Sequence, residues 1–346
     1  MLYSFVRQVA LVSIAAVICV GFTGCYKSIR KNAKDMTTQE RDDFVAAILL
    51  LKETPSPFED GISYYDQFVK WHVEINNCLG YSYHAGPAFL PWHRAFLMQF
   101  ELALREVSGK DISVPYWEWN DPESTAAVFN EEFMGTSGDP NDLFALDNGP
   151  FRKGEFAVSV FMDMDPHKFP HIVRNIGSSF MPVLPTPAQI ETALGVETYD
   201  VFPWNEFSPI DESFRNHIEG FRGTTNVMCM EDGMIVRQGT GETAMHNQVH
   251  NYVGGAWVEN SIQYGGTMLL HSSPADPIFW LHHAYVDKLW EEWMQRHGKR
   301  YAPFFGGREH HNAVDVLWPF TKEIVGKNVR AIDVIDLKKT GVQYAE

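Results

Sequence analysis

The chain has 346 residues, 45% of them hydrophobic, which is enough to bury a large core. Its net charge of −16 and the lack of any long basic run argue against a nucleic acid as its partner. Four cysteines, two of them within the first 25 residues, are too few for a disulfide framework.

The N-terminal 25 residues have the pattern of an export signal. Arg7 is the only charged residue among the first 26, and the stretch 9–22 is apolar or small but short for a membrane span. It ends in Phe-Thr-Gly-Cys25, which resembles a bacterial lipoprotein box. We therefore expect residues 1–25 to be a signal peptide of lipoprotein or ordinary secretory type. The protein would then be secreted or lipid-anchored at the cell envelope, with residues 26–346 forming one catalytic domain.

Two amphipathic helices are predicted next. Thr37 and Glu40 form a capping box at the start of the first, ahead of a helical spacing of apolar residues. The second covers YYDQFVKWHVEINNCL, where Phe68 lies four residues before His72 and Ile75 three residues after it. This spacing places His72 on the buried face.

The next segment, HAGPAFLPWHRAFLMQFELALREV, contains two more histidines. His84 falls in a loop, and Pro91 is typical of a first helical turn, so the third helix should start near it. Counted from His93, apolar residues follow at the spacing of one helix face. His93 therefore points into the protein, where a buried imidazole needs a partner such as a metal ion.

The middle of the chain, roughly residues 120–210, is rich in turn-forming residues. DISVPYWEWND just before it should be extended, and PTPAQIETALG should form a short helix. His167 and His171 are four residues apart, but Pro166 and Pro170 interrupt the segment. We therefore expect these to be surface or structural histidines that do not bind a metal ion.

The segment 246–293 contains the second group of histidines. His246 and His250 are four apart and share one face of a helix, and a third imidazole, His282 or His283, would come from a second helix. Helical periodicity does not choose between the adjacent pair. The terminal stretch VRAIDVIDLKKTGVQYA should be extended.

The histidines therefore form two groups of three, and the type of ligand limits the metal. Iron sites in helical bundles use glutamates, structural zinc favours cysteines, and hydrolytic zinc uses an HExxH motif. The sequence from His246 to His250 lacks that glutamate. Sites made only of imidazoles suit copper, and two that face each other suit the binding of O2 between two copper ions.

Two long motifs carry a resemblance to a known family. HAGPAFLPWHRAFLMQFE and HNQVHNYVGG followed by DPIFWLHHAYVDKLW resemble the copper-binding signatures of the tyrosinase family, the type-3 dicopper proteins, in its compact bacterial form. The resemblance implies a mainly α fold, with a central four-helix bundle that houses the dicopper centre and with long loops and few short strands. It also implies two copper ions. The ligands would be His72, His84 and His93 for the first copper, and His246, His250 and His283 for the second.

The resemblance also implies an activity. Members use O2 to hydroxylate monophenols, to oxidise o-diphenols to o-quinones, or both. A catechol oxidase or o-aminophenol oxidase without the monophenol step is one alternative, and a haemocyanin-like O2-binding protein is another. We expect no shielding domain after the core, so access to the site would depend on loops or on a copper-delivering caddie protein.

Catalytic residues follow from the same resemblance. In the family a glutamate and an asparagine hold a water that helps to deprotonate the phenol, whose pKa is near 10. Asn247 and Glu219 match these positions, with Glu242 as the rival glutamate. Asp287, one turn after His283, would orient a ligand imidazole or act as an ordinary polar partner in its helix. Ser82 stands where some members carry a cysteine bonded to the ligand histidine, so we expect no thioether at His84.

Overall fold

The structure is a computed structural model that describes residues 27–75, 83–162, 165, 167–221, 226–229, 235–238 and 243–345. The predictions for the signal peptide, Cys25, Ser82 and Glu242 lie outside these ranges. In chain order the elements are β1 Ser28–Arg30, α1 Thr38–Glu53, α2 Tyr64–Glu74, α3 Phe89–Ser108, α4 Pro122–Val128, α5 Pro187–Leu194, α6 Phe214–Glu219, β2 Asn226–Cys229, β3 Ile235–Gln238, α7 Met245–Gly254, β4 Ala256–Glu259, β5 Ile262–Gly265, α8 Ile278–His297, α9 Lys322–Val325, α10 Ala331–Val334, α11 Leu337–Thr340 and β6 Val342–Tyr344.

The fold is mainly α, as predicted. Helices α2, α3, α7 and α8 form the central bundle, and α1 packs on the outer side of α3. The described strands make three two-stranded sheets. β1 pairs with β6 in parallel, whereas β2 with β3 and β4 with β5 are antiparallel. Single-turn 3-10 helices at Thr267–Leu269 and Ser273–Ala275 connect β5 to α8.

Aromatic side chains fill the space between the bundle helices. The rings of Phe100 on α3 and Trp280 on α8 stack at 3.6 Å. Phe68 of α2 contacts both, at 5.3 and 5.8 Å. All three are at most 1% exposed. Aromatic pairs contribute beyond the area they bury, so this contact fixes the relative positions of the three helices that carry His72, His93 and the His282–His283 pair.

The predicted start of α1 is correct, and the predicted start of α3 differs by two residues. Thr37 caps α1 with the expected capping box, in which Glu40 reaches back to the Thr37 N–H. Helix α3 begins at Phe89, two residues before the predicted Pro91. Pro91 is tolerated there because the N–H groups of the first helical turn have no intrahelical acceptor.

The prediction for the C-terminal stretch was wrong for most of its length. Residues 331–334 and 337–340 form α10 and α11, and only 342–344 are extended as β6. The buried residues Ala331, Val334 and Leu337 are three apart, which is the spacing of a helical turn and not of a strand.

A buried ionic cluster ties the two ends of the described chain to the bundle. Arg30 donates to both carboxylate oxygens of Glu101 on α3, at 2.9 and 3.0 Å, and to Asp287 on α8 at 2.8 Å. Arg94 of α3 also donates to Asp287, at 2.5 Å. The hydroxyl of Tyr344 donates to the same carboxylate at 2.6 Å. The four charged side chains are at most 2% exposed. Removing any one of them would therefore leave a buried charge without its partner.

None of the helices in the described residues has the length and apolar composition needed to cross a membrane.

Candidate metal centre

The bundle brings the predicted histidines together in two clusters. The first consists of His72 on α2, His84 in the loop before α3, and His93 on α3. The second consists of His246 and His250 on α7 with His282 and His283 on α8. Within each cluster the candidate ligand atoms lie within 4.8 Å of one another. This is the spacing of groups that can share one metal ion.

The two clusters face each other across the bundle. The rings of His93 and His283 stack at 4.2 Å with an angle of 10° between them. Phe89 lies against both clusters, with its ring 4.8 Å from His93 and 4.8 Å from His246. The arrangement therefore has two adjacent metal-sized sites with an apolar ring at their edge.

Main-chain carbonyl groups orient three of the seven clustered imidazoles. Nδ1 donates to a carbonyl oxygen in three of them: His72 to His271 at 2.6 Å, His93 to Phe89 at 2.8 Å, and His250 to Met268 at 2.7 Å. A carbonyl oxygen only accepts, so Nδ1 carries the proton and Nε2 offers its lone pair to the cluster. Metal-binding histidines are held in this way, because the outer hydrogen bond fixes both the tautomer and the ring orientation.

Burial keeps the clustered imidazoles neutral. Loss of solvent lowers the pKa of His93 to about 3 and that of His250 to about 4. The pKa values of His72, His246 and His283 are also well below the ordinary value, mainly through burial and secondly through neighbouring histidines. Neutral imidazole is the form that binds a metal ion, so these five histidines have the protonation state a metal site requires.

The buried nitrogen atoms of the clusters fit a metal ion. In the described part of the chain, Nε2 of His93 and Nδ1 of His283 are buried and have no hydrogen-bond partner. Nε2 of His246 lies 3.2 Å from Nε2 of His283. A buried polar atom without a partner costs about 1–3 kcal/mol, and an ion bound among these nitrogens would remove that penalty. Because every donor is an imidazole, the set suits copper better than calcium or magnesium.

His282 is the one cluster member whose role the geometry leaves open. Both of its ring nitrogens are buried and have no partner among the described residues. Its ring stacks on His246 at 5.0 Å and packs against Trp119 at 5.2 Å. Position alone therefore does not distinguish His282 from His283 as the third ligand of the second cluster.

Glu219 and Asn247 both lie beside His246. Nδ1 of His246 is 3.0 Å from Oδ1 of Asn247 and 3.3 Å from the main-chain oxygen of Glu219. The carboxylate of Glu219 is fully buried and accepts from the N–H of Ala85 at 2.5 Å and from Arg215 at 2.9 Å. Burial raises the pKa of Glu219 to about 7, against the opposing charge of Arg215.

Of the two roles that the sequence left open for Asp287, the contacts support the structural one and not the orientation of a ligand imidazole. Its carboxylate oxygens are bound by Arg30, Arg94 and Tyr344. Asp287 therefore anchors α8 to α3 and to the paired terminal strands, as a structural partner one turn beyond His283.

His167 contacts the β5 strand, and the expectation that neither His167 nor His171 binds a metal ion stays a prediction. A ring nitrogen of His167 lies 2.9 Å from the carbonyl oxygen of Gln263, and its ring stacks on Tyr264 at 4.3 Å. Neither histidine belongs to a metal-sized group among the described residues.

No sequence pattern pointed to His311, which supports the loop of His84. His311 is fully buried beneath the loop of His84, and its Nδ1 accepts from the N–H of Ala88 at 3.3 Å. A Cβ at Gly86 would lie 2.5 Å from the His311 ring, so this close approach requires glycine. His311 lies in a loop with no helical or strand periodicity, so no sequence pattern pointed to it.

Comparison with known proteins agrees with this geometry. The family described as the common central domain of tyrosinase matches residues 62–296, which include all seven clustered histidines. The tyrosinase of Streptomyces glaucescens is 36% identical over 283 residues, covering 81% of this chain and 87% of that protein. The tyrosinase of Streptomyces antibioticus is 35% identical over 290 residues, covering 84% and 90%.

A solved structure supports the fold. The polyphenol oxidase of Thermothelomyces thermophila is similar with a TM-score of 0.59 and 20% identity, over 92% of this chain and 88% of that one. At this identity the likeness concerns the arrangement of the helices and not their chemistry.

Proposed function

The chain belongs to the tyrosinase family, and from that premise we propose that its two histidine clusters bind one copper ion each in a phenol oxidase. The observation that carries the proposal is the pair of facing clusters, each with ligand atoms within 4.8 Å of one another. The enzyme uses O2 to hydroxylate monophenols, to oxidise o-diphenols to o-quinones, or both. Copper in such a site supplies the redox chemistry with O2 and the phenol.

His72, His84 and His93 would hold the first copper, and His246, His250 and His283 the second. The hydrogen bonds from Nδ1 of His72, His93 and His250 to main-chain carbonyls support this assignment, because they direct Nε2 of each ring into its cluster. The choice of His283 over His282 follows the family motif. His282 would then be the neighbour that packs against His246.

The protein's own groups would position the phenol and its proton. Glu219 and Asn247 would hold the water that takes the phenol proton, because both residues lie beside His246: the main-chain oxygen of Glu219 is 3.3 Å and Oδ1 of Asn247 is 3.0 Å from Nδ1 of that ring. Each carboxylate oxygen of Glu219 accepts one protein hydrogen bond and keeps a second lone pair for such a water. The aromatic ring of Phe89 at the edge of both clusters offers an apolar surface that excludes solvent.

A paired assay tests this function. The full chain is loaded with copper, and oxidation is measured with a tyrosine-like monophenol and with catechol, using the metal-free protein as the control. We expect O2 uptake and quinone absorbance with both phenols. Activity on catechol alone would remove the monophenol step, and activity on neither phenol would overturn the proposal.

Three further points stay predictions of the sequence. They are export directed by residues 1–25, lipidation of Cys25, and copper delivery by a separate caddie protein. The extent of the catalytic domain, residues 26–346, is a fourth. The pairing of β1 with β6 supports it, because this pairing makes both ends of the described chain part of one core.

A further inference from the structure

Of the seven clustered histidines, His84 alone lies in a loop, at residues 83–88 ahead of α3, whereas helices carry the other six. The packing of the bundle fixes those helices. The position of the His84 imidazole depends instead on the contacts that hold its loop. Several of these contacts come from residues 301–318, which follow the part of the chain that matches the family's common central domain, residues 62–296.

His311 makes the most intimate of these contacts. Its side chain is fully buried, and its Nδ1 accepts from the main-chain N–H of Ala88 at 3.3 Å. Its ring also lies 5.9 Å from that of Tyr83. A Cβ at Gly86 would be 2.5 Å from Cε1 and 2.7 Å from Nδ1 of His311, and the three atoms nearest to that Cβ all belong to this imidazole. The ring of His311 therefore occupies the space that a side chain at residue 86 would need.

The main chain of Trp318 holds the first cluster from the same side. Its N–H donates to the hydroxyl of Tyr83, the residue before His84, at 2.7 Å. Its carbonyl oxygen accepts from Nε1 of Trp92, the residue before His93, at 2.7 Å. Residues 301–318 thus contact the immediate neighbours of two of the three histidines of the first cluster.

Two tyrosines fix the position of His311 relative to the loop. The hydroxyl of Tyr301 donates to the main-chain oxygen of His311 at 2.8 Å, and its ring packs on that of Tyr199 at 4.8 Å. The hydroxyl of Tyr199 in turn donates to the carbonyl of Pro87 at 2.6 Å. These contacts order the loop before any ion binds. A ligand position ordered in advance favours binding, because less conformational entropy is lost when the ion arrives.

We propose that His311 is a positioning residue of the first metal site. By holding residues 83–88 it places the imidazole of His84 where it can share an ion with His72 and His93. Loss of a residue that orients a metal ligand typically lowers metal affinity by about 10–100-fold. Removing His311 should therefore weaken the copper of the first cluster and leave the second unaffected. The identity of the ion rests on the proposed function, whereas the hold on the loop is independent of it.

Hydrogen exchange of the copper-free full chain tests the hold on the loop. In His311→Ala we expect the amides of Ala85 and Ala88 to exchange about tenfold faster or more, the factor that corresponds to about 1.4 kcal/mol. The amides of α7 should keep their rates, which also shows that the chain is folded. Unchanged rates in the loop would overturn the proposal. Equal acceleration in α7 would overturn it too, because the role of His311 would then be global.

Copper retention against increasing EDTA tests the effect on the metal site. His250→Ala keeps all three histidines of the first cluster, and His93→Ala keeps those of the second. Added to His250→Ala, the change His311→Ala should lower the EDTA concentration that removes the remaining copper by about tenfold or more. Added to His93→Ala, it should leave that concentration unchanged. Unchanged retention in the first background, or equal losses in both, would refute the proposal.

Two matched variants test whether the contact itself is responsible. Gly86→Ala approaches it from the loop and should weaken the copper of the first cluster as His311→Ala does. The two changes together should cost little more than one, because the ring that meets the new Cβ is gone. Fully additive losses would refute the contact as the cause. His171→Ala, which removes another buried histidine outside both clusters, should alter neither the loop exchange nor the copper content.

The two measurements separate this proposal from the proposed function. An unsubstituted chain that bound no copper would refute the proposed function, and the exchange rates of the loop would still decide whether His311 holds it. A chain that bound two coppers but showed unchanged loop exchange in His311→Ala would refute only the role of His311.

Discussion

The carboxylate of Glu219 accepts a hydrogen bond from the main-chain N–H of Ala85, the residue that follows His84, at 2.5 Å. The main-chain oxygen of the same glutamate lies 3.3 Å from Nδ1 of His246. Glu219 of α6 thus contacts both Ala85, which follows His84 of the first cluster, and His246 of the second cluster. Ala85 has a φ of +57°, which is uncommon for a residue other than glycine. The hydrogen bond from Ala85 to Glu219 therefore stabilises the loop in this conformation.

Replacing Glu219 with alanine should therefore destabilise the fold. The change leaves the Ala85 N–H without its acceptor and removes one of the two carboxylates that pair with the buried Arg215, the other being Asp200. Breaking a buried ion pair lowers the free energy of unfolding by about 3 kcal/mol or more. Urea unfolding of the copper-free protein measures this.

The control for that experiment is Glu191→Ala. Glu191 pairs with Arg296 at the surface, with 63% of its side chain exposed, so its removal should change the urea midpoint little. Equal midpoints for the Glu219 and Glu191 variants would show that the Ala85 contact does not hold the loop.

Removing His250 should cost the second cluster its metal. His250→Ala leaves that copper with one imidazole fewer, and we expect about one copper per chain and no phenol oxidation, since a three-ligand site loses a third of its donors. Metal analysis after gel filtration gives the ratio. His167→Ala, which removes a histidine outside both clusters, should keep the full copper content. Two coppers retained by His250→Ala would refute the assignment of this ligand.

The adjacent pair on α8 can be resolved by the same metal analysis. We expect His283→Ala to lose the copper of the second cluster and His282→Ala to retain it, although both rings are buried to the same degree. The reverse pattern would make His282 the ligand. Similar losses in both variants would mean that each ring is needed, one of them through its packing on His246.

The tyrosine at the end of β6 should contribute measurably to stability. The hydroxyl of Tyr344 donates to the buried carboxylate of Asp287 and lies 3.1 Å from the carbonyl of Ala284. Hydrogen bonds to charged groups contribute about 1.5–3 kcal/mol, so Tyr344→Phe should lower the free energy of unfolding by roughly that amount.

Urea unfolding tests this as well, with Tyr264→Phe as the control. The ring of Tyr264 stacks on His167 and Trp257, and this packing survives the loss of the hydroxyl. If the two phenylalanine variants unfolded at the same urea concentration, the bond from Tyr344 to Asp287 would add nothing to stability.

Part of this site could be predicted from residue spacing because helices impose a period. His246 and His250 share a helix face at a separation of four, and His93 lies on the apolar stripe of α3, so these placements followed from the sequence. His84 has no such support because it lies in a loop. Its place in the first cluster came only from the resemblance to a family motif.

The contacts that hold the site could not be predicted in the same way. The acceptors of His72 and His250 are main-chain carbonyls of His271 and Met268, and a carbonyl is present at every position of a sequence. Two of the partners of Asp287, Arg30 and Tyr344, come from β1 and β6, strands of three residues that are too short to show a period. The sequence therefore left the role of Asp287 open, and tertiary pairing joins it to Arg30 and Arg94.

The parallel pairing of β1 with β6 also sets an order of events during synthesis. Arg30 and Tyr344 are separated by 314 positions, which a ribosome covers in roughly 15–60 s at about 5–20 residues per second. Helix α3 emerges early and α8 much later, yet β1 has no strand to pair with until β6 has left the ribosome. Throughout that interval Arg30 lacks its partner strand, so the pairing that closes the fold is delayed until β6 has been synthesised.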